Sequence, residues 1–268
     1  MSIPSRPIMS LIAAVGAGVY VFNKIDAPHY DNLDYGIPGE CNQIVNRQGY
    51  ALGYVEDWEQ PAWVVYRLTA EEVATRAAAR SNAFRADREI KTGSATPTDY
   101  LRSGYDKGHL APANDMNWST VAMAESFLMS NMSPQKPAFN RGIWKQIEAF
   151  ARHSAESEKS VFIATGPIFY QNVLTNRIGA NAVAVPHAFY KVILDESPPS
   201  KMLAFIVPNE GTNATIEEFV RTTEEVENQT GLSFFPTFAD VGIECLKTNS
   251  DIRVWIHQKT MGRLFTFR

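Results

Sequence analysis

The order of strand-like and helix-like segments constrains the fold of this chain more than any other feature. Runs rich in β-branched and aromatic residues are predicted to form strands, and they do not alternate with helices in a regular β–α–β rhythm. The predicted strands cover residues 50–55, 62–68, 161–164, 188–194 and 203–207. We therefore predict an α+β fold and not a doubly wound parallel sheet.

Helices are predicted where apolar residues recur with helical spacing. A capping-box pattern that opens at Thr69 predicts an alanine-rich helix running to about Arg80. Further helices are predicted over residues 119–129, 140–153 and 215–229. Gly231 is placed to stop the last of them. Residues 91–104 are rich in Gly, Pro, Ser and Thr and are predicted to form a loop.

The N-terminal segment, residues 8–22, is an uncharged apolar run of 15 residues. That length is short for a membrane span of about 20 residues, but it suits the hydrophobic region of a signal peptide. The small residues lie inside the run and make a poor cleavage site, so an uncleaved signal anchor is favoured over a cleaved peptide or a buried core helix. We predict that residues 1–28 are this segment plus a linker and that residues 29–268 form one domain. The chain would then be exported, periplasmic or membrane-anchored, or mitochondrial in a eukaryote.

Composition and charge restrict the class of protein further. The net charge of −4 does not by itself suggest a polyanionic ligand. From Arg76 to Lys107, however, the sequence has seven cations and four anions, so any polyanion contact is expected to be local, with a solvated helix face as the alternative. Two cysteines, Cys41 and Cys245, are too few for a disulfide scaffold or a cysteine-based zinc site. One long-range disulfide and two free thiols both remain open.

Among the five histidines, His109 has the surroundings that best suit catalysis. Gly108 before it allows a bend or a close approach of the backbone, and Pro112 after it keeps the chain from forming a helix. A neutral imidazole can accept a proton near pH 7. A Gly-His pair in a loop is a weak signal alone, and residues 127–148 strengthen it.

Two segments together resemble the signature of the DNA/RNA non-specific endonucleases, the family of endonuclease G-like mitochondrial enzymes and secreted bacterial nucleases. The first segment is Asp106-Lys107-Gly108-His109. The second is Ser130-Asn131-Met132-Ser133-Pro134-Gln135, followed by Asn140, Trp144 and Glu148. Other landmarks of the family follow in the same order, so that the resemblance covers residues 35–245. It implies a ββα-metal nuclease fold, with a central, mainly antiparallel sheet flanked by helices.

The resemblance also implies a one-metal mechanism of phosphodiester hydrolysis. His109 would be the general base that activates water, and Asn140 would be the only direct protein ligand of a Mg²⁺ ion, for which Mn²⁺ can substitute. An asparagine carbonyl leaves the ion its full double charge. Glu148 lies eight residues after Asn140, so both can face one site, with Glu148 holding a metal-bound water. Asn131 would help to hold the surroundings of His109, cap the following turn, or do both.

The resemblance assigns catalytic roles to two cations as well. An upstream arginine would stabilise the pentacovalent phosphate, with Arg85 as the first choice and Arg80 as the alternative. Lys107 stands where the family usually has arginine. Lysine keeps the charge but loses the planar fork that binds phosphate through two hydrogen bonds, so lower activity or an altered substrate preference is expected.

The function implied by the resemblance is a sugar-non-specific endonuclease with DNA and RNA as substrates. Contacts to phosphate and metal carry no base information, which accounts for the lack of specificity. Several relatives form homodimers, and residues 8–22 would add a membrane contact. The alternatives are a non-catalytic nucleic-acid-binding module on the same fold and a phosphodiesterase for small or lipid-linked substrates.

Overall fold

The computed structural model describes residues 30–238 and 242–256, together with the backbone of two short N-terminal strands. The strands are β1 (Ile12–Ala14), β2 (Val19–Val21), β3 (Gln43–Asn46), β4 (Ala51–Val55), β5 (Gln60–Thr69), β6 (Asp106–His109), β7 (Met132–Gln135), β8 (Ser160–Ile168), β9 (Arg177–Ile178), β10 (Val183–Ala184), β11 (Ala188–Asp195), β12 (Lys201–Pro208) and β13 (Val220–Arg221). The helices are α1 (Ala70–Ala74), α2 (Thr120–Ser126), α3 (Pro137–Phe139), α4 (Lys145–Glu158), α5 (Thr223–Thr230) and α6 (Ile243–Thr248), with a π-helical turn at Asn140–Trp144.

Seven strands form the central sheet, in the order β13-β12-β11-β8-β5-β4-β3. Every neighbouring pair in this sheet is antiparallel. The five strands predicted from the sequence all lie in it, as β4, β5, β8, β11 and β12. The predicted α+β class and the mainly antiparallel sheet are therefore confirmed.

A hydrophobic core covers each face of the central sheet, because successive side chains of a strand point to opposite faces. On one face, Phe189 of β11 shares a core cluster with Ile147 and Phe150 of α4. On the other face, Tyr190 shares a cluster with Val226 of α5. The sheet therefore separates a face covered by α4 from a face covered by α5.

The strand pair β6–β7 and the helix that follows it form a separate unit on the α4 side. β6 and β7 are antiparallel, with His109 opposite Met132. The chain then passes through α3, which has Pro137 at its first turn, and through the π-helical turn into α4. Within that turn Gly142 departs from helical geometry, with φ −102° and ψ −112°. This strand–strand–helix order is the ββα arrangement that the resemblance implies.

The helix predicted to run to Arg80 is shorter than expected. Its capping box is present, but α1 ends at Ala74. The N–H groups of Ala77 and Ala78 both donate to the carbonyl oxygen of Asn117, each at 2.9 Å. Tertiary hydrogen bonds therefore outweigh the helix propensity of this alanine-rich stretch.

The helix predicted over residues 215–229 begins later than expected. A 3-10 helix forms first, over Ile216–Phe219, and the chain then adds β13 to the edge of the central sheet. A second capping box, formed by Thr222 and Glu225, starts α5. Gly231 ends α5 as predicted, with φ 71° in the left-handed region that glycine adopts without strain. The other two predicted helices are confirmed as α2 and α4, although α4 runs on to Glu158.

The sequence leaves the N-terminal segment and the cysteines open, and the structure answers only the second question. Most of residues 8–22 lies outside the described residues, although β1 and β2 within this run pair antiparallel. No helix in the described part of the chain is long and apolar enough to cross a membrane. The anchor and the domain boundary at residue 28 stay predictions. Cys41 is a half-buried free thiol, and Cys245 is an exposed one.

Candidate active site

His109 ends strand β6, and aromatic rings enclose its imidazole. The ring of Phe127 lies edge-on at 5.0 Å between centroids, and that of Phe84 lies at 5.7 Å. The residue is 8% exposed, and its Nε2 is buried without a hydrogen-bond partner among the described residues. Burial, with a smaller contribution from the positive charge of Arg80, lowers the pKa of His109 to about 3. The imidazole is therefore neutral at physiological pH, which is the form that accepts a proton.

Asn131 clamps the backbone that follows His109. Its Nδ2 donates to the carbonyl oxygens of Ala111 and Ser126, and its Oδ1 accepts from the N–H of Ala111, all at 2.9 Å. Its own carbonyl oxygen accepts from the N–H of Leu110 at 3.0 Å. The side chain is fully buried with its amide hydrogen-bonded at both ends. Asn131 therefore holds the backbone on both sides of the segment that follows His109, and its role in catalysis stays a prediction.

Gly108 allows β6 to lie against the side chain of Gln135 on β7. A Cβ atom at position 108 would overlap the side-chain amide of Gln135. Gln135 is fully buried, and neither its Oε1 nor its Nε2 has a hydrogen-bond partner in the described part of the chain. Gly108 is therefore needed for a close approach of the two strands.

Asp106, at the start of β6, connects this strand to the helical turn that carries Asn140. Its Oδ2 accepts from Nδ2 of Asn140 at 2.9 Å, and its carboxylate pairs with the guanidinium of Arg141 through hydrogen bonds of 2.7 and 2.9 Å. Burial alone would raise the pKa of Asp106, but the hydrogen bonds from Arg141 and Asn140 outweigh it and hold the pKa below its ordinary value. The hydrogen bond to Asp106 fixes the amide of Asn140 by its nitrogen. Its Oδ1 has no partner among the described residues and can bind a hard cation.

Glu148 lies in the first turn of α4, half-buried, and makes no hydrogen bond or ion pair with any described residue. Burial raises its pKa above the ordinary value. The positive charges of Lys191, Arg152 and, to a lesser extent, Arg80 oppose that rise, whereas the negative charge of Asp115 adds to it. Because no described group is hydrogen-bonded to it, the side chain is available for a water or another ligand.

A buried ion pair lies beside Glu148. Nη1 of Arg152 is 2.7 Å from Oδ1 of Asp115, and the hydroxyl of Tyr66 donates to Oδ2 of Asp115 at 2.8 Å. Asp115 follows His109 by six residues, so this ion pair ties the segment after β6 to α4. The segment that carries the histidine and the helix that carries Glu148 are thereby held together.

The two candidate arginines differ in their surroundings, although both are exposed. The guanidinium of Arg80 lies 5.2 Å from the centroid of the Phe127 ring, which also contacts His109. Its charge influences the pKa values of both His109 and Glu148. Nη1 of Arg85 instead donates to the carbonyl oxygen of a residue in α2, Ala124, at 2.8 Å.

Lys107, the departure from the family pattern, is half-exposed beside the aromatic enclosure of His109. Its ammonium lies 4.9 Å from the centroid of the Phe84 ring, a ring that also contacts the imidazole. A cation over an aromatic face is attracted to it. Phe84 therefore positions the lysine charge next to the base.

Sequence reasoning missed the aromatic enclosure and the buried charges. Phe84 and Phe127 belong to no recognised motif, and their contact with His109 depends on tertiary folding. Lys191 left a signal, since it is a cation inside the otherwise apolar run predicted as a strand over residues 188–194. In the described part of the chain, no group of three or more His, Cys, Asp or Glu residues could hold a metal ion.

The family comparisons identify the class of protein. A sequence model of the DNA/RNA non-specific endonuclease family matches residues 29–241. The mitochondrial nuclease of Saccharomyces cerevisiae is 34% identical over 220 residues, which cover 74% of this chain and 67% of that protein. Human mitochondrial endonuclease G is 34% identical over 215 residues, covering 75% of this chain and 72% of the relative. Nuclease C1 of Cunninghamella echinulata is 33% identical over 218 residues, covering 76% and 86%.

A solved structure of a nuclease has the same fold. A chain in the crystal structure of an EndoG/EndoGI complex superposes with a TM-score of 0.72 at 36% identity, covering 77% of this chain and 91% of that one. The seven-stranded antiparallel sheet with its flanking helices is thus an α+β nuclease fold. The chain belongs to the DNA/RNA non-specific endonucleases.

Proposed function

We propose that the chain is a metal-dependent, sugar-non-specific endonuclease that hydrolyses phosphodiester bonds of DNA and RNA by a one-metal mechanism. One observation carries the proposal: strand β6 bears the neutral, enclosed imidazole of His109 at one end and the carboxylate of Asp106, which orients Asn140, at the other. A base and a ligand for a hard cation are thereby held on one short strand and the helical turn beside it. The nuclease names of the relatives support the same activity.

In this proposal His109 takes a proton from the attacking water. Its Nε2 is buried away from solvent, so Nδ1 is the nitrogen that can accept a proton from a water, and we assign the ring proton to Nε2. Since its pKa is lowered to about 3, the imidazole stays neutral across the range in which nucleic acids are stable substrates. Asn131 holds the backbone behind the imidazole and thereby orients it.

Asn140 would hold the metal ion through Oδ1. The side chain of Asn140 suits this ion. Its Nδ2 donates to Asp106, which leaves Oδ1, a neutral hard oxygen of the kind that Mg²⁺ binds readily. When bound there, Mg²⁺ or Mn²⁺ would neutralise phosphate charge and stabilise the leaving oxygen. The unpaired carboxylate of Glu148 would accept a hydrogen bond from a water molecule in the same site.

We infer that Arg80, and not Arg85, is the arginine that stabilises the phosphate in the transition state. The charge of Arg80 reaches both His109 and Glu148, and its guanidinium, whose Nε donates to Oδ1 of Asn82 at 2.9 Å, lies over the Phe127 ring that contacts the imidazole. Arg85 donates instead to the backbone carbonyl of Ala124. Lys107 would supply a second positive charge beside the base. Arg80→Ala should therefore reduce kcat far more than Arg85→Ala, and equal losses would contradict the assignment.

The test is the cleavage of supercoiled plasmid and of structured RNA by the full chain, in Mg²⁺ and in EDTA. Wild type should cut both substrates in Mg²⁺ and neither in EDTA. His109→Ala should lose at least ~100-fold in rate, because general-base catalysis contributes about 10² to 10⁴. Asn140→Ala should also lose most of the activity, because it removes the proposed ligand of the metal ion. The matched controls are His153→Ala on α4 and Asn228→Ala on α5, which should cut at wild-type rates.

The other outcomes of this test identify the alternatives. Undiminished cleavage by His109→Ala would overturn the assignment of the base. Binding of nucleic acid without Mg²⁺-dependent cleavage would favour the non-catalytic module. Hydrolysis of small phosphodiesters alone would favour a phosphodiesterase for small or lipid-linked substrates.

The cellular location and assembly of this chain stay predictions. The relatives from yeast and human are mitochondrial by name. We propose that residues 8–22 direct this chain to a membrane or an exported compartment, including the mitochondrion in a eukaryote, and that it forms a homodimer. Fractionation of cells expressing the full chain and a variant without residues 1–28 tests the first point, and light scattering tests the second.

A further inference from the structure

Lys191 is a cation in the middle of a core face. Along β11, Phe189 and Ile193 lie on the face of the sheet covered by α4 and belong to its hydrophobic cluster. Lys191 lies between them in the strand and, because strand side chains alternate, points to the same face. It is 0% exposed. An aliphatic residue would fill this position without the cost of burying a charge.

The ammonium of Lys191 has no hydrogen-bond partner of its own. Its Nζ is buried and unpartnered among the described residues, and it forms no ion pair within 4.0 Å there. It lies 5.0 Å from the centroid of the Trp144 ring, a contact that fixes its position without neutralising its charge. Trp144 precedes Glu148 by four residues, one helical turn, so the ring and the carboxylate lie on the same side of the helix.

The charge of Lys191 is coupled most strongly to the carboxylate of Glu148. Each residue is the largest charged influence on the pKa of the other. The other charged groups near Glu148 are Arg152 on its own helix, Asp115 after β6 and Arg80, with the Tyr66 hydroxyl on β5 close by.

The other positive charges near Glu148 are either paired or screened by solvent. Arg152 is engaged with Asp115 at 2.7 Å, so these two charges largely cancel. Arg80 is exposed to solvent, which weakens its field. Lys191 is therefore a buried positive charge without an ion pair in the described part of the chain, and it is the largest charged influence on Glu148.

We propose that Lys191 is a positioning residue that keeps Glu148 in its carboxylate form, ready to accept a hydrogen bond from water in the active site. This inference rests on the proposed function for the role of Glu148, but the coupling of the two side chains does not. Removing the ammonium while keeping the length of the side chain should make Glu148 harder to ionise. The activity should then require a higher pH.

The direct test observes the titration of Glu148 in the metal-free full chain by NMR of the ¹³C-labelled glutamate carboxyl groups. In Lys191→Met, the titration midpoint of Glu148 should rise by about one pH unit or more. The matched control is Lys201→Met on the neighbouring strand, whose ammonium also lies 5.0 Å from a tryptophan centroid but pairs with Glu158 at 2.7 Å. That substitution should leave the midpoint of Glu148 unchanged. An unmoved midpoint in Lys191→Met would overturn the proposal.

A reciprocal measurement keeps the proposal testable if Lys191→Met does not fold. Coupling between two sites is reciprocal, so Glu148→Gln should lower the midpoint of Lys191, read from its ¹³Cε signal, by about as much. An unchanged Lys191 midpoint would equally overturn the proposal. Glu148 is half-buried and makes no hydrogen bond with a described residue, and glutamine matches its size.

Activity then separates this inference from the proposed function. The acid limb of kcat/KM in Lys191→Met should move to higher pH by the shift seen in NMR, and Lys191→Arg, which restores a cation, should move it back. If wild type cuts no nucleic acid while the NMR shift is present, the coupling stands and the proposed function falls. If wild type cuts normally and the acid limb of Lys191→Met stays in place, the positioning role falls alone.

Discussion

Because His109 is buried in its neutral form, folding of this protein competes with protonation. Its pKa is about 3 in the folded state, against an ordinary value of 6.5. As the pH falls, the unfolded state binds the proton first, so the free energy of unfolding decreases below about pH 6.5 and continues to decrease down to about pH 3. One unit of pKa corresponds to about 1.4 kcal/mol, so His109 alone should cost about 2.5 kcal/mol of stability between pH 7 and pH 4.5.

Two substitutions of His109 isolate this contribution. His109→Leu and His109→Gln both remove the titrating group, so each should gain about 2.5 kcal/mol relative to wild type as the pH falls from 7 to 4.5. Gln keeps a polar group inside the aromatic enclosure and Leu does not, so the Leu variant should be more stable than the Gln variant by a pH-independent ~1–3 kcal/mol. Urea denaturation in EDTA, followed by tryptophan fluorescence, measures both differences. Parallel stability curves for the three proteins would mean that His109 keeps its ordinary pKa, and would refute the reasoning from burial.

Three further predictions concern the supports of the site. Gly108→Ala should lower the free energy of unfolding by about 1–3 kcal/mol and reduce cleavage, because its Cβ would overlap Gln135 in a closely packed strand pair; wild-type stability in urea would contradict this. Asn131→Leu should cost about 3–5 kcal/mol, since it leaves three buried backbone groups without their partners; a loss below ~1 kcal/mol would show that water replaces the amide. Gly231→Ala should cost about 1 kcal/mol because its φ is 71°, while kcat stays at the wild-type value; a fall in kcat would mean that α5 is coupled to the site.

The sequence could predict those elements of the site whose signals are local. The helix that places Glu148 follows from apolar periodicity and is present. Strand β6, which ends at His109, is not predicted, because a Gly-His pair shortly before a proline indicates a loop. The end of α1 could not be predicted, since the carbonyl that captures the chain there belongs to Asn117, about 40 residues away in the sequence. The sequence could not decide between Arg80 and Arg85 for the same reason: the contact of the Arg80 guanidinium with the Phe127 ring is tertiary and has no sequence pattern.

The lysine at position 107 can be tested by restoring the family's arginine. Lys107 and arginine carry the same charge, but the guanidinium can bind one phosphate through two hydrogen bonds and also stacks on an aromatic ring such as Phe84. The additional hydrogen bond is worth about 1 kcal/mol, so Lys107→Arg should lower KM by about fivefold. Because the number of charges is unchanged, the slope of log kcat/KM against log salt concentration should stay the same.

A matched control for this substitution is available on the opposite face of the sheet. Lys247→Arg, in α6, keeps its ion pair with Glu227 and should leave KM unchanged. If Lys107→Arg changes the salt slope, the number of phosphate contacts has changed. The assumption that arginine replaces lysine at a single contact would then be wrong. If KM does not move at all, Lys107 does not contact the phosphate. Its place over Phe84 would then serve the fold alone, and the two cations expected at the phosphate would reduce to Arg80.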